Sequence, residues 1–385
     1  MTIYFTNVKK CSKMISNKAE KRYIMIFDDL LSIKEDVWTH LYNTEKPIVM
    51  YGTGNGADKI IDVLEEKGIK LYGIFASDDF ARDRSFRGFK VKKYADFKVE
   101  LGEFIVIVSF ASQRNEVLSN IYRIASEQEL YAPDVPVFGS GLFDMEYFKA
   151  HKERLELVYD MLSDDVSRNT FVCSLAFKIT GNIDYLRSCE VTESECDSLV
   201  SRLLTSRNYV DIGAYTGDTV EKYVSHHGND IEIYAFEPDE KNYRKMLERF
   251  ESRGIRCNTV NAAAWDKTET LRFYSNSGRA GSADKGRNST KFKDINAVRA
   301  EDYIDKEIGF VKIDAEGSDA NALRGLASVI RKDAPVMKVA AYHRNEDFFS
   351  IPEAVSEIKD GYRLYMRHLK YVPGWDTDFI FSFDC

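Results

Sequence analysis

Residues 209–219 have the sequence Tyr-Val-Asp-Ile-Gly-Ala-Tyr-Thr-Gly-Asp-Thr. The apolar start predicts a buried β-strand that ends near Asp211. Gly213 and Gly217 then allow a tight turn and a close approach to a ligand, because they lack a Cβ atom. Asp218 or Thr219 can cap the helix that follows. A strand, a glycine turn and a helix N-terminus form the nucleotide-type pocket of α/β sheets, although glycine turns also serve as plain connections.

Three later strands each end in residues that can contact a ligand in the same pocket. Residues 231–239 predict a second strand that closes on Glu237, whose carboxylate can accept both hydroxyls of a ribose. Residues 257–264 predict a third strand that ends in small residues and leaves room for a flat base. Residues 310–317 predict a fourth strand that is followed by the acids Asp314 and Glu316. The four ends should meet at the carboxyl edge of one parallel sheet.

These motifs together resemble a known family. Asp211-x-Gly213-x-x-x-Gly217, Glu237-Pro238 and Lys312-Ile313-Asp314-Ala315-Glu316-Gly317, in that order, resemble the FkbM family of S-adenosylmethionine-dependent methyltransferases. The resemblance covers residues 209 to 383. It implies a class I methyltransferase-type α/β fold with a seven-stranded Rossmann-like sheet, and S-adenosylmethionine as cofactor.

The chain departs from the family pattern at two positions. Asp319 stands where the family usually has a Glu, and residues 340–343 are Ala-Ala-Tyr-His where the family tends to end its fifth strand on a Glu. The resemblance therefore leaves open which residue is the catalytic base.

The predicted cofactor site combines the glycine turn with the second and third strand ends. Its candidate residues are Asp211, Gly213, Tyr215, Thr216, Gly217, Asp218, Glu237, Pro238, Asp239 and Ala263. Asp211 suits the ammonium of the cofactor's amino-acid end and Glu237 its ribose. The Tyr215 ring could lie against the sulfonium, or it could simply pack.

Methyl transfer to a hydroxyl also requires a base, which contributes roughly 10²–10⁴-fold. The candidates are Asp314, His343 and Glu316, with Asp314 and His343 ranked equally and Glu316 third. Asp314 ends the strand itself, and the pKa of a histidine lies near neutrality. The two acids could instead cap their loop or hold a hard cation, but we predict no metal.

The 385 residues carry a net charge of −8 and a pI of about 5.5, so we expect no nucleic-acid partner. No apolar run approaches the roughly 20 residues of a membrane span, and no apolar core that would mark a signal peptide follows Lys9 and Lys10. Six scattered cysteines without a C-x-x-C pair suggest free thiols in a cytoplasmic protein. The sequence does not determine the oligomeric state, and a homo-oligomer stays open.

The chain divides into a helical lead-in (1–45), a smaller Rossmann-like α/β domain (46–130), a helical bridge (131–205) and the methyltransferase-like domain (206–385). In the first domain, residues 52–57 fit G-x-G-x-x-G/A. That turn could bind a nucleotide or a nucleotide-sugar, or it could be kept for packing geometry alone.

The loop of residues 275–291 is rich in glycine and charge. It could be a surface loop, or a lid that uses Arg279, Lys285 and Arg287 to meet an anionic acceptor. The sequence predicts an O-methyltransferase for a hydroxyl of a sugar, a nucleotide-linked sugar or glycan, or a small natural product. The alternatives are a non-catalytic nucleotide-binding scaffold and a dehydrogenase that uses residues 52–57.

Overall fold

The computed structural model describes residues 25–77, 85–275, 281–282 and 292–383. The described chain begins with a 3₁₀ helix, Phe27–Ser32, and the helix α1 (Val37–Asn43). The side chain of Asp36 accepts a hydrogen bond from Thr39 N (2.8 Å) and so caps α1. The buried side chains of α1 pack against the first sheet.

The first sheet has six strands in the order β3-β4-β2-β1-β5-β6, all parallel except β3. In chain order its elements are β1 (Ile48–Tyr51), α2 (Asn55–Glu66), β2 (Leu71–Phe75), β3 (Ser85–Phe86), β4 (Phe89–Lys92), α3 (Tyr94–Leu101), β5 (Ile105–Val108), α4 (Asn115–Glu127) and β6 (Glu129–Tyr131). The alternation of short apolar strands and helices produces a small Rossmann-like unit.

Helices join the two sheets. They are α5 (Met145–Met161), α6 (Asp165–Thr180), α7 (Ile183–Cys189) and α8 (Glu193–Leu203), with the short strand β7 (Glu190–Val191) between the last two. The middle of α6 is buried on all sides, as expected of a helix enclosed between two folded units.

The second sheet follows the bridge. Its strands and helices begin with β8 (Tyr209–Ile212), α9 (Asp218–His227), β9 (Ile233–Phe236), α10 (Glu240–Arg253) and β10 (Asn258–Val260). After a separate small sheet come a 3₁₀ helix (Ala300–Tyr303), and β15 (Phe310–Ile313), α11 (Asp319–Arg324), α12 (Ala327–Asp333), β16 (Val336–Ala340), α13 (Asp347–Ile358), β17 (Tyr362–Leu369) and β18 (Thr377–Phe383). The small sheet is formed by β11 (Ala263–Ala264), β12 (Glu269–Ser275), β13 (Gly281–Ser282) and β14 (Phe292–Val298).

The strand order of the second sheet is β10-β9-β8-β15-β16-β18-β17-β7. The predicted α/β class is confirmed, and β17 and β18 pair antiparallel as their short connection indicated. The predicted strand count was wrong: among the residues that the structure describes, this sheet has eight strands, because β7 of the bridge pairs with the outer edge of β17. Helices α8 to α10 cover one face, and α5, α6 and α11 to α13 cover the other. No helix in the described ranges has the length and apolar character to cross a membrane.

The third predicted strand is shorter than expected. It ends at Val260, and Ala263–Ala264 leave the main sheet to pair with Ala297 and Val298 of β14. The predicted lid falls largely outside the described residues, including Arg279, Lys285 and Arg287. Of that loop, Ser275 ends β12, and Gly281–Ser282 form β13.

The carboxyl edges of the two sheets face each other. Ser112, just after β5, exchanges two backbone hydrogen bonds with Val372, just after β17 (2.8 and 3.1 Å). Val372 is buried in the core of the first unit. Because β17 ends at the same edge as β8, β9, β15 and β16, this contact joins the carboxyl edge of the second sheet to the segment that follows β5 in the first.

Candidate active site

The glycine turn after β8 is shaped by two positions that exclude a side chain. Gly213 has φ +75°, and a Cβ there would lie 1.9 Å from the carbonyl oxygen of Asp314. Gly217 has φ +76°, and its Cβ would lie 2.5 Å from a ring carbon of Phe250. The turn therefore needs glycine at both positions, and it brings the ends of β8 and β15 into direct backbone contact.

Asp211 lies beneath this turn, with 0% of its surface exposed. Its Oδ1 is 3.3 Å from Lys312 Nζ, and Thr219 donates its hydroxyl to Oδ2. Burial lowers the pKa of Lys312, but the Asp211 and Asp314 carboxylates outweigh that effect and raise it, so the lysine stays charged. Asp211 thus supports the turn from below. Its predicted contact with a cofactor ammonium stays a prediction, and its Oδ1 has no hydrogen-bond partner among the described residues.

The helix α9 begins at Asp218, and Gly217 is its N-cap without a side-chain hydrogen bond. The predicted cap by Asp218 or Thr219 is wrong, because the Thr219 hydroxyl is used by Asp211. Backbone amides at this helix start consequently remain available to a ligand.

Glu237, at the end of β9, is held by the backbone around it. Its Oε2 accepts from Tyr215 N (2.9 Å) and its Oε1 from Asp239 N (2.8 Å), with Pro238 between. Burial raises the pKa of Glu237 to about 7. Each carboxylate oxygen keeps a further lone pair, which is what a ribose diol requires. Tyr215 itself has φ +50° and an exposed ring.

The other predicted cofactor residues surround this pair less directly. The Asp239 side chain caps α10 by accepting from two backbone amides. The Thr216 hydroxyl accepts a hydrogen bond from Arg249 at 3.4 Å. Ala263 lies in β11, on the small sheet, beyond Asn261, whose side chain donates to the Glu237 carbonyl (2.8 Å).

The predicted base residues converge at the ends of β15 and β16. His343 is buried among three carboxylates: Nε2 lies 3.2 Å from Asp314 and 3.6 Å from Glu316, and Nδ1 lies 3.0 Å from Asp319. Burial lowers the pKa of His343, but Asp319 and Asp314 outweigh it and raise the pKa well above 6.5. The ring is therefore an imidazolium at neutral pH, which is a poor starting state for a base.

Asp314 is also poorly suited to take a proton. Burial raises its pKa, but the charges of Lys312 and His343 prevail, and the net pKa is lowered. Tyr342 adds a hydrogen bond from its hydroxyl to Asp314 Oδ1 (3.3 Å). The carboxylate is consequently stabilised in its charged form, and its basicity falls.

Glu316 has the opposite environment. Burial raises its pKa to about 7, although His343 lowers it in part. The side chain remains 42% exposed, so a ligand can reach it. Its backbone is in the left-handed region (φ +49°), a strained conformation that for a non-glycine residue occurs preferentially at functional sites.

Two buried acids behind the cluster were not predicted as site residues. Asp319 accepts from Ala315 N (2.8 Å) and Gly317 N (3.2 Å), so it closes the turn that carries Glu316. Asp347 accepts from Arg344 N (2.7 Å), and burial raises its pKa to about 7. The sequence did carry a signal for Asp319, which is its position two residues after Gly317. It carried no signal for Asp347.

One donor atom each from Asp319, His343 and Asp347 lie within 4.8 Å of one another, a spacing that could hold a metal ion. Asp319 and His343 already pair with each other, and Asp347 accepts from the backbone. The cluster is therefore satisfied by hydrogen bonds without an ion.

The first unit contacts this cluster through the connector of residues 134–138. Lys59 of α2 donates to the carbonyls of Pro136 (2.9 Å) and Val137 (2.7 Å). The next residue, Phe138, donates its backbone N–H to the His343 carbonyl (3.0 Å). A continuous set of hydrogen bonds thus joins a helix of the first unit to the loop that carries His343.

The glycine turn of the first unit is explained largely by packing. A Cβ on Gly52 would lie 2.7 Å from Ser109 Oγ, and one on Gly56 would lie 2.3 Å from the Ser109 carbonyl oxygen. Gly54 faces open space. Two of these three glycines are therefore needed for close packing against Ser109, the residue after β5, independently of any ligand.

Comparisons with known proteins identify a methyltransferase domain in the second half of the chain. Residues 211–373 match the model of the Methyltransferase FkbM domain. The match confirms the resemblance, and with it the prediction of an S-adenosylmethionine-dependent methyltransferase. No curated protein matches the chain.

Solved structures extend the likeness beyond that domain. The chain is similar to the methyltransferase FkbM from Methylobacillus flagellatus KT, with 18% identity, a TM-score of 0.70, and coverage of 92% of this chain and 97% of that one. At this identity the likeness shows the fold alone, but it includes the first unit and the bridge. A putative rRNA-methylase from Clostridium thermocellum (8% identity, TM-score 0.33, 51% of this chain, 98% of that one) is similar over half of the chain. A putative methyltransferase from Streptococcus mutans, solved in complex with SAH, is similar over the same share of the chain. Its identity is 11%, its TM-score is 0.33, and the match covers 50% of this chain and 98% of that one.

Proposed function

We propose that the protein is an S-adenosylmethionine-dependent O-methyltransferase for a hydroxyl of a sugar, a nucleotide-linked sugar or glycan, or a small natural product. The observation that carries the proposal is Glu316, a reachable carboxylate with a pKa of about 7 at the end of β15. A hydroxyl acceptor needs a base of this kind, and a base acts best when its pKa is near the working pH.

The residues around the glycine turn fit the cofactor. The turn at Gly213 and Gly217 excludes side chains, and the fixed Glu237 carboxylate offers free lone pairs for a ribose. Bound S-adenosylmethionine supplies the methyl group and leaves as S-adenosylhomocysteine. Glu237 orients the ribose, and the start of α9 presents backbone amides to the cofactor.

Glu316 receives the proton that the acceptor oxygen loses as its bond to the methyl carbon forms. The His343 imidazolium beside it favours the carboxylate form of Glu316 and so keeps it ready to accept that proton. Asp319 fixes the geometry of both, because it holds the Glu316 turn through backbone amides and the imidazole through Nδ1. Asp314 stays charged and helps to hold His343 in place. This order of candidates, with Glu316 first, reverses the order expected from sequence.

Composition supports the remaining parts of the proposal. The net charge of −8 disfavours nucleic-acid acceptors, which associate through phosphate contacts. The four described cysteines, Cys173, Cys189, Cys196 and Cys257, are all unpaired, in line with a reducing cytoplasm.

Calorimetric titration with S-adenosylmethionine tests the cofactor site. Glu237→Ala should weaken binding by about 1–3 kcal/mol, because the ribose loses a charged acceptor. Gly54→Val, in the open turn of the first unit, should leave binding unchanged. A folded wild-type protein that does not bind S-adenosylmethionine would instead be the non-catalytic scaffold.

Transfer from tritiated S-adenosylmethionine to sugars, nucleotide-sugars and phenols tests the base. Glu316→Gln should lower turnover about 10²-fold or more with cofactor affinity nearly unchanged. The matched control is Glu103→Gln, an exposed glutamate of the first unit, which should keep full turnover. Full activity in Glu316→Gln would remove Glu316 from the mechanism.

A further inference from the structure

A small chamber lies between the bridge and the second sheet. It is lined by Asp134, Ser174, Lys178, Tyr342, Gly374 and Trp375, with phenylalanine rings behind them. The volume open to the centre of a water-sized molecule is about 10 Å³. This is roughly the room that one water molecule, or one hydroxyl oxygen, requires.

The floor of the chamber has unused hydrogen-bonding capacity. Ser174 is only 3% exposed, and its Oγ has no partner among the groups that the structure describes. A buried hydroxyl without a partner is unfavourable, because it has lost its hydrogen bonds to water and gained none in the protein. A polar atom that enters the chamber would remove this cost, so the chamber is suited to an oxygen rather than to a methyl group.

A buried ion pair lies beside Ser174. Lys178 Nζ donates to Asp134 Oδ2 (2.7 Å), and it lies 5.5 and 5.6 Å from the ring centroids of Phe143 and Phe348. The ammonium has three donors, so it can serve a second acceptor besides Asp134. An ion pair in such apolar surroundings costs more in lost hydration than a hydrophobic pair of similar size. Binding of a hydroxylated ligand would explain why the chain keeps an ion pair at this buried position.

One wall of the chamber is aromatic and contacts the side-chain cluster to which the candidate base belongs. The rings of Tyr342 and Trp375 lie 6.3 Å apart at 22°, nearly parallel. The Tyr342 hydroxyl donates to Asp314, so one side chain separates the chamber from the cluster that contains Glu316. Flat aromatic surfaces next to hydroxyl-binding groups suit the C–H face of a sugar ring.

We propose that this chamber is the specificity subsite for the acceptor: it takes one hydroxyl of a sugar ring, other than the hydroxyl that is methylated, while the ring lies against Trp375. This inference rests on the proposed methyltransferase function and selects the sugar among its acceptor classes. Ser174 and Lys178 bind the second hydroxyl and thereby orient the first toward Glu316. A planar phenol, with its single hydroxyl at the reacting position, leaves the chamber unused.

The test is saturation-transfer NMR with S-adenosylhomocysteine present. The probes are the methyl α-D-glycopyranosides of glucose, galactose and mannose, with cyclohexanol as a ring of similar size that has one hydroxyl. We expect the wild type to bind at least one glycoside and to bind cyclohexanol at least tenfold more weakly. Ser174→Ala and Lys178→Met should each weaken glycoside binding at least threefold, whereas Lys149→Met at an exposed position of α5 should not.

Ser174→Ala keeps the test decisive if Lys178→Met fails to fold, because removal of an unpartnered hydroxyl should not destabilise the protein. Glycoside binding that is absent in the wild type, or unchanged in Ser174→Ala, overturns the subsite. Calorimetry with S-adenosylhomocysteine on the same samples separates the two proposals: normal cofactor binding with a failed subsite leaves the methyltransferase intact.

Discussion

Replacement of His343 by Gln removes a positive charge from beside the candidate base. Nε2 of His343 lies 3.6 Å from Glu316 Oε2, and burial has already raised the pKa of this carboxyl to about 7. Two unit charges about 4 Å apart interact by about 4 kcal/mol at an effective dielectric constant of 20. Because the Glu316 side chain is 42% exposed, solvent screens most of this, and about 1–1.5 kcal/mol should remain.

That energy corresponds to about one pKa unit. Loss of a nearby cation disfavours the carboxylate, so Glu316 should hold its proton to higher pH. We expect its midpoint to move from about 7 in the wild type to about 8 in His343→Gln. The acid limb of the methyl-transfer rate should move in the same direction by the same amount, because the rate depends on the deprotonated base.

The shift can be measured without knowing the acceptor. Carbon NMR of protein labelled at the glutamate carboxyl, titrated from pH 5 to 9, reports the midpoint of Glu316, and Glu316→Gln assigns the signal. His226→Gln, an exposed histidine at the end of α9, is the matched control and should leave the midpoint unchanged.

The reasoning is refuted if Glu316 titrates near 4.5 in the wild type, or if its midpoint stays or falls in His343→Gln. Another result would support His343 as the base. If His343→Gln lowers turnover about 10²-fold and abolishes the acid limb instead of shifting it, His343 itself takes the proton.

Three further outcomes follow from the described contacts. Gly217→Val should lower the melting temperature and abolish cofactor binding, because its side chain meets a phenylalanine ring; Gly228→Val has a similar positive φ but open space around it, and should cost less. Binding of S-adenosylmethionine at pH 7 should release up to about half a proton from Glu237, because its pKa of about 7 falls when ribose hydroxyls donate to the carboxylate. Calorimetry in buffers of different ionisation enthalpy should show this proton release. The Glu237→Gln variant should lack it. Val372→Ala should lower the free energy of unfolding by about 2 kcal/mol, as measured with urea, whereas Val99→Ala at an exposed site should be silent.

The sequence predicted those parts of the fold that have local signals. Short apolar runs followed by glycine or acid marked β8, β9 and β15, and the short connection from β17 to β18 indicated an antiparallel pair. It missed β7, whose two residues are too few to show a period, and the small sheet, because the pairing of Ala263–Ala264 with β14 is long-range. The four-part domain division remains a prediction.

The sequence predicted which candidate base residues lie together, but not their protonation states. Asp314, Glu316 and His343 were recognised from their positions after β15 and β16, and the structure brings them together. Their protonation states depend on burial and on charges from Lys312 and Asp319, which no linear pattern reveals. That is why Glu316, the last candidate by sequence, is the first candidate for the base in our proposal.

The contacts of the helical bridge with β17 limit where recombination can divide this chain. Arg367 of β17 is paired with Asp164, whose side chain also caps α6, and Leu162 forms a backbone bridge with Leu364. A recombination event at residue 206 would leave a buried guanidinium without its acid and an apolar sheet edge open to aggregation. Exchange of the first unit between such enzymes should therefore retain the bridge with the second sheet, and the tolerated crossover should lie upstream of α5.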